Sequence, residues 1–248
     1  MTTKEIDNLV ASFQYLRNLD FVDPARVGIG GFCVGGSFAL IAASDPLISA
    51  DVQFVNAFGP YFDMKELAIS IISETSDDNH RIQNWQPDKL SKKVLAAHLT
   101  DNISNEEANI ITNWFTNNRT NNIDKTLSTE NGQRIHNLLG QESRQGATDA
   151  FELLPAHNKS QLHQLSPRSH IGDIKASILI MHDRNDSLVP VSHSRQLFEA
   201  LDGKTDVLFT EYGSIFDHVS PNLNTGTNAI AEMFRLVKHI QRIMLQST

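Results

Sequence analysis

The chain has 248 residues, a single cysteine and a formal charge of −8, with a pI near 5.6. The acidic balance argues against a general nucleic-acid or anionic-membrane surface, and one cysteine excludes an internal disulfide framework and fits a reducing compartment. With 40% hydrophobic and 20% charged residues, the length suits one large α/β domain or a core with a subdomain.

The start, MTTKEIDNLVASF, has neither the basic region nor the apolar stretch of a signal peptide, and no apolar run reaches the roughly 18 residues of a membrane span. A cytoplasmic protein with no membrane partner is expected. Over residues 4–18, Ile6, Leu9, Val10, Phe13 and Leu16 fall on one helical face, which predicts an amphipathic helix. A turn at DPAR (residues 23–26) leads into a short buried strand, RVGIGGF. From Val34 to about Ser44 small and apolar residues predict a buried helix, stopped at Asp45-Pro46. DVQFVNAFG (51–59) is a second strand.

From about Phe62 to Ser169 no strand is evident. Polar segments with helical spacing, such as DKLSKKVLAAHL and NEEANIITNWFTNN, predict a helical insertion over residues 62–164 that acts as a lid. Beyond it come strands at 176–183 and 205–212, a helix at 191–201 and a closing helix at 228–244. Alternating helices and continuous apolar strands predict a parallel sheet covered on both faces, built from residues 1–61 and 165–248.

Cys33 lies between a strand and a helix in VGIGGFCVGGSFAL. A lone cysteine in an apolar segment is most often a buried filler. At a tight strand–helix turn, however, its sulfur is presented at a helix N-terminus, where the dipole and free amides favour the thiolate. There the amide of Val34 would face the charge developing on a substrate oxygen. Gly28 and Gly30 supply two glycines of a dinucleotide-binding G-x-G-x-x-G, but its third position is Cys33, which disfavours that reading. His157, His163, His182 and His193 do not organise into a metal site, and no cofactor is expected.

Gly31-Phe32-Cys33-Val34-Gly35-Gly36 resembles the nucleophile elbow of the α/β-hydrolases, in the G-x-C-x-G-G form of the dienelactone hydrolases. The resemblance implies an acid after the next-to-last strand and a histidine after the last. In ILIMHDRNDSLVPVSHSRQLFEAL the acid falls on Asp186, with Asp183 the weaker candidate, and in EYGSIFDHVSP the histidine falls on His218. It further implies that His218 takes the proton of Cys33 and that Asp186 orients the imidazole. A hydrolase of carboxylic ester, lactone or thioester substrates, acting through a cysteinyl acyl-enzyme on a small acyl substrate, is expected.

The resemblance covers residues 1–61 and 165–248. It implies a partial α/β-hydrolase fold of about four parallel strands, with flanking helices and the helical lid insertion. The early strands and the H-G-G-type loop of the family have no counterpart before Cys33, so the second oxyanion donor is unaccounted for. The strand carrying Cys33 would form a sheet edge, left for a second copy or a partner chain to cover. The alternative is an N-terminally truncated, weak or inactive fragment that acts by association.

Overall fold

Ile6, Val10 and Phe13 recur at three- and four-residue spacing and are buried. That spacing places them on one face of α1 (Thr3–Arg17), whose first turn is closed by a capping box between Thr2 and Glu5. The computed structural model describes residues 1–117, 119–120, 122–213, 215–221 and 229–246. After α1 the chain forms β1 (Ile29–Phe32), turns sharply at Cys33, and enters α2 (Val34–Ala42), which is buried nearly throughout. The strand β2 (Phe54–Phe58) pairs in parallel with β1, from Ile29↔Val55 to Phe32↔Phe58.

The next hundred residues are mainly helical: α3 (Met64–Ser73), α4 (Lys89–Leu99), α5 (Asn105–Thr116), α6 (Glu130–Leu139), α7 (Arg144–Glu152) and α8 (Ala156–Gln164). Side chains of Asp88, Ser104, Thr129 and Ser143 accept backbone N–H groups at the N-termini of α4 to α7. Such caps satisfy donors that a helix leaves open. Leu99, Ile111, Phe115, Ile135 and Leu138 supply a core of their own.

One expectation is corrected here. A hairpin, β3 (Thr75–Asp78) and β4 (Arg81–Asn84), follows α3. Its strands are polar, so they carry no alternating apolar signal, and its turn rests on Asn79 and His80 at φ 51° and 65°, values that Asn tolerates.

The chain then returns to the sheet through β5 (Ser177–Asp183), α9 (Ser192–Leu201) and β6 (Val207–Tyr212). Two short antiparallel strands, β7 (Phe216–Asp217) and β8 (Ser220–Pro221), precede α10 (Ala229–Gln246). Asn228, expected to begin the closing helix, lies outside the described residues. The sheet order is β1-β2-β5-β6, all parallel, so β1 and β6 are its edges. Val55, Ala57, Ile178 and Ile180 are fully buried, as strands covered on both faces require. This is the partial α/β-hydrolase fold with a helical insertion that the sequence leads one to expect. The chain divides into two compact units, Met1–Asp63 with Gln164–Thr248, and Met64–His163. Among the described residues no helix is long and apolar enough to cross a membrane.

Candidate active site

In a parallel α/β sheet, loops at the carboxyl ends of the strands gather polar groups into one region. Cys33 follows β1, Gly59 follows β2, Asp186 follows β5, and His218 follows β6.

Cys33 has φ 53° and ψ −125°, a conformation that costs a non-glycine residue about 1–3 kcal/mol and persists only where the surroundings enforce it. They do. Its N–H donates to the Phe58 carbonyl at 2.7 Å, and its carbonyl accepts from Gly36 at 3.0 Å at the start of α2. A Cβ on Gly31 would lie 2.2 Å from the Gly35 carbonyl oxygen, so β1 and α2 meet this closely only with glycine there. Val34 is the first residue of α2, where a helix leaves amides without intrahelical partners.

Asp186 is buried in the loop after β5. Its Oδ1 accepts the N–H groups of Leu188 and Val189 at 2.7 and 3.0 Å, which fixes the carboxylate plane. Its Oδ2 receives a short hydrogen bond from Nδ1 of His218. Burial works to raise the Asp186 pKa, but hydrogen bonds from His182 and His218 outweigh it and hold the carboxyl well below the usual carboxylate range.

His218 stands in the turn between β7 and β8 with φ 55°, and its N–H donates to Asp183 Oδ2 at 3.2 Å. Burial alone would lower its pKa. Hydrogen bonds and charges from Asp186 and Cys33 prevail and push it up to about 10. Cys33, Asp186 and His218 are thus brought to one place, with the thiol and the carboxylate both acting on the same imidazole.

A second imidazole faces the same carboxylate. His182, on β5, has Nε2 at 2.9 Å from the Val189 carbonyl and 3.4 Å from Asp186 Oδ2. A carbonyl only accepts, so Nε2 carries the proton and Nδ1 is the acceptor. The Ser194 hydroxyl, in the first turn of α9, therefore donates to Nδ1 at 2.6 Å. Among the described residues, no group of three or more His, Cys, Asp or Glu side chains is arranged to hold a metal ion.

With this geometry in place, the chain can be set beside known proteins. The Dienelactone hydrolase family matches residues 1–131, which is just over half of the chain and includes the turn at Cys33. The chain belongs to the dienelactone hydrolase family. Asp186 and His218 lie beyond the matched segment. No curated protein matches the chain. Solved structures similar to this family member include an acylaminoacyl peptidase from Pyrococcus horikoshii, at 15% identity and TM-score 0.48, covering 96% of this chain and 26% of that one. An acetyl xylan esterase from a Thermoanaerobacterium species has 14% identity and TM-score 0.45, with 98% and 52% covered. A meta-cleavage product hydrolase from Pseudomonas fluorescens has 16% identity and TM-score 0.45, with 100% and 73% covered. The chain thus spans about a quarter of the peptidase and about half of the esterase.

Within this family frame, the expected cysteine-nucleophile chemistry is corrected. A hydroxyl, imidazole and carboxylate in the order used by serine hydrolases are present as Ser194–His182–Asp186. Asp186 is shared between two imidazoles and does not serve Cys33 alone, so the assignment to a cysteinyl acyl-enzyme does not stand.

Sequence reasoning missed Ser194, which sits among ordinary helix residues, and set His182 aside as structural. It also missed Gly59, at φ 64°, where a Cβ would lie 3.1 Å from Cε1 of His218. The signal for Gly59 was present in Gly-Pro directly after an apolar strand.

Proposed function

We propose that this chain hydrolyses carboxylic esters or lactones, with Asp186 as the central carboxylate of the site. The observation that carries the reading is the sharing of Asp186 between His182, hydrogen-bonded to the Ser194 hydroxyl, and His218. In acyl transfer, an imidazole moves the proton of the attacking group and returns it to the leaving group. A buried carboxylate fixes the imidazole tautomer and stabilises its charged form. The helical insertion at residues 62–164 is proposed to act as a lid over substrate entry.

A second reading of the residues at the reacting carbonyl is favoured by exposure. Ser194 and His182 are fully buried, whereas His218 keeps 9% of its surface and Cys33 is half-buried. In this reading Cys33, Asp186 and His218, with the Val34 amide, meet the substrate, and the Ser194–His182 pair braces α9 against β5.

Turnover of p-nitrophenyl acetate and a simple lactone tests both. Wild type is expected to exceed buffer, and Asp186→Asn is expected to lose the excess. Loss in Ser194→Ala with Cys33→Ala unchanged supports the first arrangement, and the reverse pattern supports the second. A wild type no faster than buffer on either substrate overturns the hydrolase reading.

A further inference from the structure

One apolar surface is left uncovered by the arrangement above. In α10, Ile230, Met233, Val237, Ile240 and Met244 recur at intervals of three and four residues and are all exposed, Ile230 at 73% and Val237 at 57%. This is the spacing of a helix–helix seam. The helix already buries a different face: Ala229, Glu232 and His239 turn inward. His239 reaches Thr210 on β6 and Asn56 on β2.

The two flanks of α10 differ in chemistry. Arg235 and Lys238 border a groove with Leu208, Thr210 and Glu211 of β6, and Arg242 pairs with Asp206 just before that strand. The basic flank therefore overlooks β6. With about 100° between successive residues, the apolar seam lies on the opposite flank, toward β1. There the sheet is bare as well. Gly30 and Phe32 lie in register with Asn56 and Phe58 and so share the face on which α10 sits. Phe32 is 64% exposed. Seam and bare strand form the wall and floor of one apolar step.

We infer that a second copy of this chain fills this step, with the two α10 helices side by side across a two-fold axis near Val237. Two observations favour a second copy. The seam contains no charged side chain, so two copies meet without opposing like charges. The seam, with Phe234 and Leu245 beside it, exposes on the order of 800 Å² per copy, about what each partner contributes to a standard-size interface. At a net charge of −8, two copies repel at long range, so added salt should tighten the dimer.

Sedimentation equilibrium of the full chain, over about 1–100 µM and at low and high salt, tests this. The expected result is a monomer–dimer equilibrium that strengthens with salt. Val237→Glu places like charges together at the axis and is expected to weaken association at least tenfold. Met233→Lys should act in the same direction. Leu153→Glu, equally exposed but in the other unit, should leave association unchanged. Far-ultraviolet circular dichroism shows whether each variant is folded. A wild type that stays monomeric at every concentration overturns the inference, as does folded Val237→Glu that associates as tightly as wild type.

Discussion

A Cβ built on Gly59 would stand 3.1 Å from Cε1 of His218 and 3.5 Å from Asp186 Oδ2. The residue also sits at φ 64°. Both facts make the backbone of Gly59 the floor on which the imidazole rests. Gly59→Ala should cost about 1 kcal/mol of stability from backbone strain alone and should push His218 off its line with Asp186. Ester turnover is expected to fall at least tenfold, through kcat more than KM, while the melting temperature drops by a few degrees. Unchanged turnover would show that the imidazole has room to spare.

Asp183 is fastened to the same imidazole loop from beneath. Its Oδ2 accepts the His218 N–H at 3.2 Å, and its Oδ1 accepts from Asn185 at 3.1 Å. Asp183→Ala leaves both amides without that acceptor, and hydrogen bonds to charged groups are worth about 1.5–3 kcal/mol each. A loss of stability of up to about twice that range, for the two bonds together, is expected, with kcat falling because His218 is no longer held at its positive φ. Asp183→Asn keeps an acceptor oxygen and should restore most of kcat. Equal kcat in the alanine and asparagine variants would argue against a positioning role.

Much of this arrangement was legible in the residues. The strands were readable because Ile178 to Ile180 form an unbroken apolar run, and the turn at Cys33 because glycines crowd it on both sides. Asp186 and His218 were singled out by the family resemblance, which expects an acid and a histidine after the last two strands. Ser194 was not legible, because a serine in the first turn of a helix looks like any other polar residue until His182 is seen facing it. The β3–β4 hairpin was hidden for a related reason. Its strands bury no face, and its turn signal is backbone conformation at Asn79 and His80, not composition. The apolar flank of α10 was present in the sequence as helical periodicity. Only packing reveals that a different face of that helix meets the sheet.

The Asp186–His218 pair predicts a stability profile with two shoulders. His218 is raised from 6.5 to about 10, so its contribution is fully present below pH 6.5 and is lost as pH rises through about 10. Asp186 is held below 3.8, so its contribution is present above pH 3.8 and is lost as pH falls through its depressed value. Melting temperatures of wild type and Asp186→Asn from pH 4 to 11 test this. The variant is expected to melt lower at neutral pH, with the difference narrowing toward pH 11. A gap that stays constant across the alkaline range would mean that the pair does not titrate as a unit.

His239 should produce a separate acid limb. It is buried on the inward face of α10, between Thr210 at 2.8 Å and Asn56 at 2.9 Å. Burial lowers its pKa from 6.5 to about 4. The unfolded chain therefore takes up this proton first, and stability is lost as pH falls from 6.5 toward 4. His239→Gln can keep at least one of the two hydrogen bonds and cannot take up a proton in this range. Its melting temperature should be lower than that of wild type at pH 7.5, by an amount equivalent to about 1–2 kcal/mol for imperfect packing and pairing. The difference should shrink at pH 5, where wild type bears the cost of excluding a proton and the variant does not. Parallel wild-type and His239→Gln curves between pH 7.5 and 4.5 would place the acid sensitivity elsewhere in the chain.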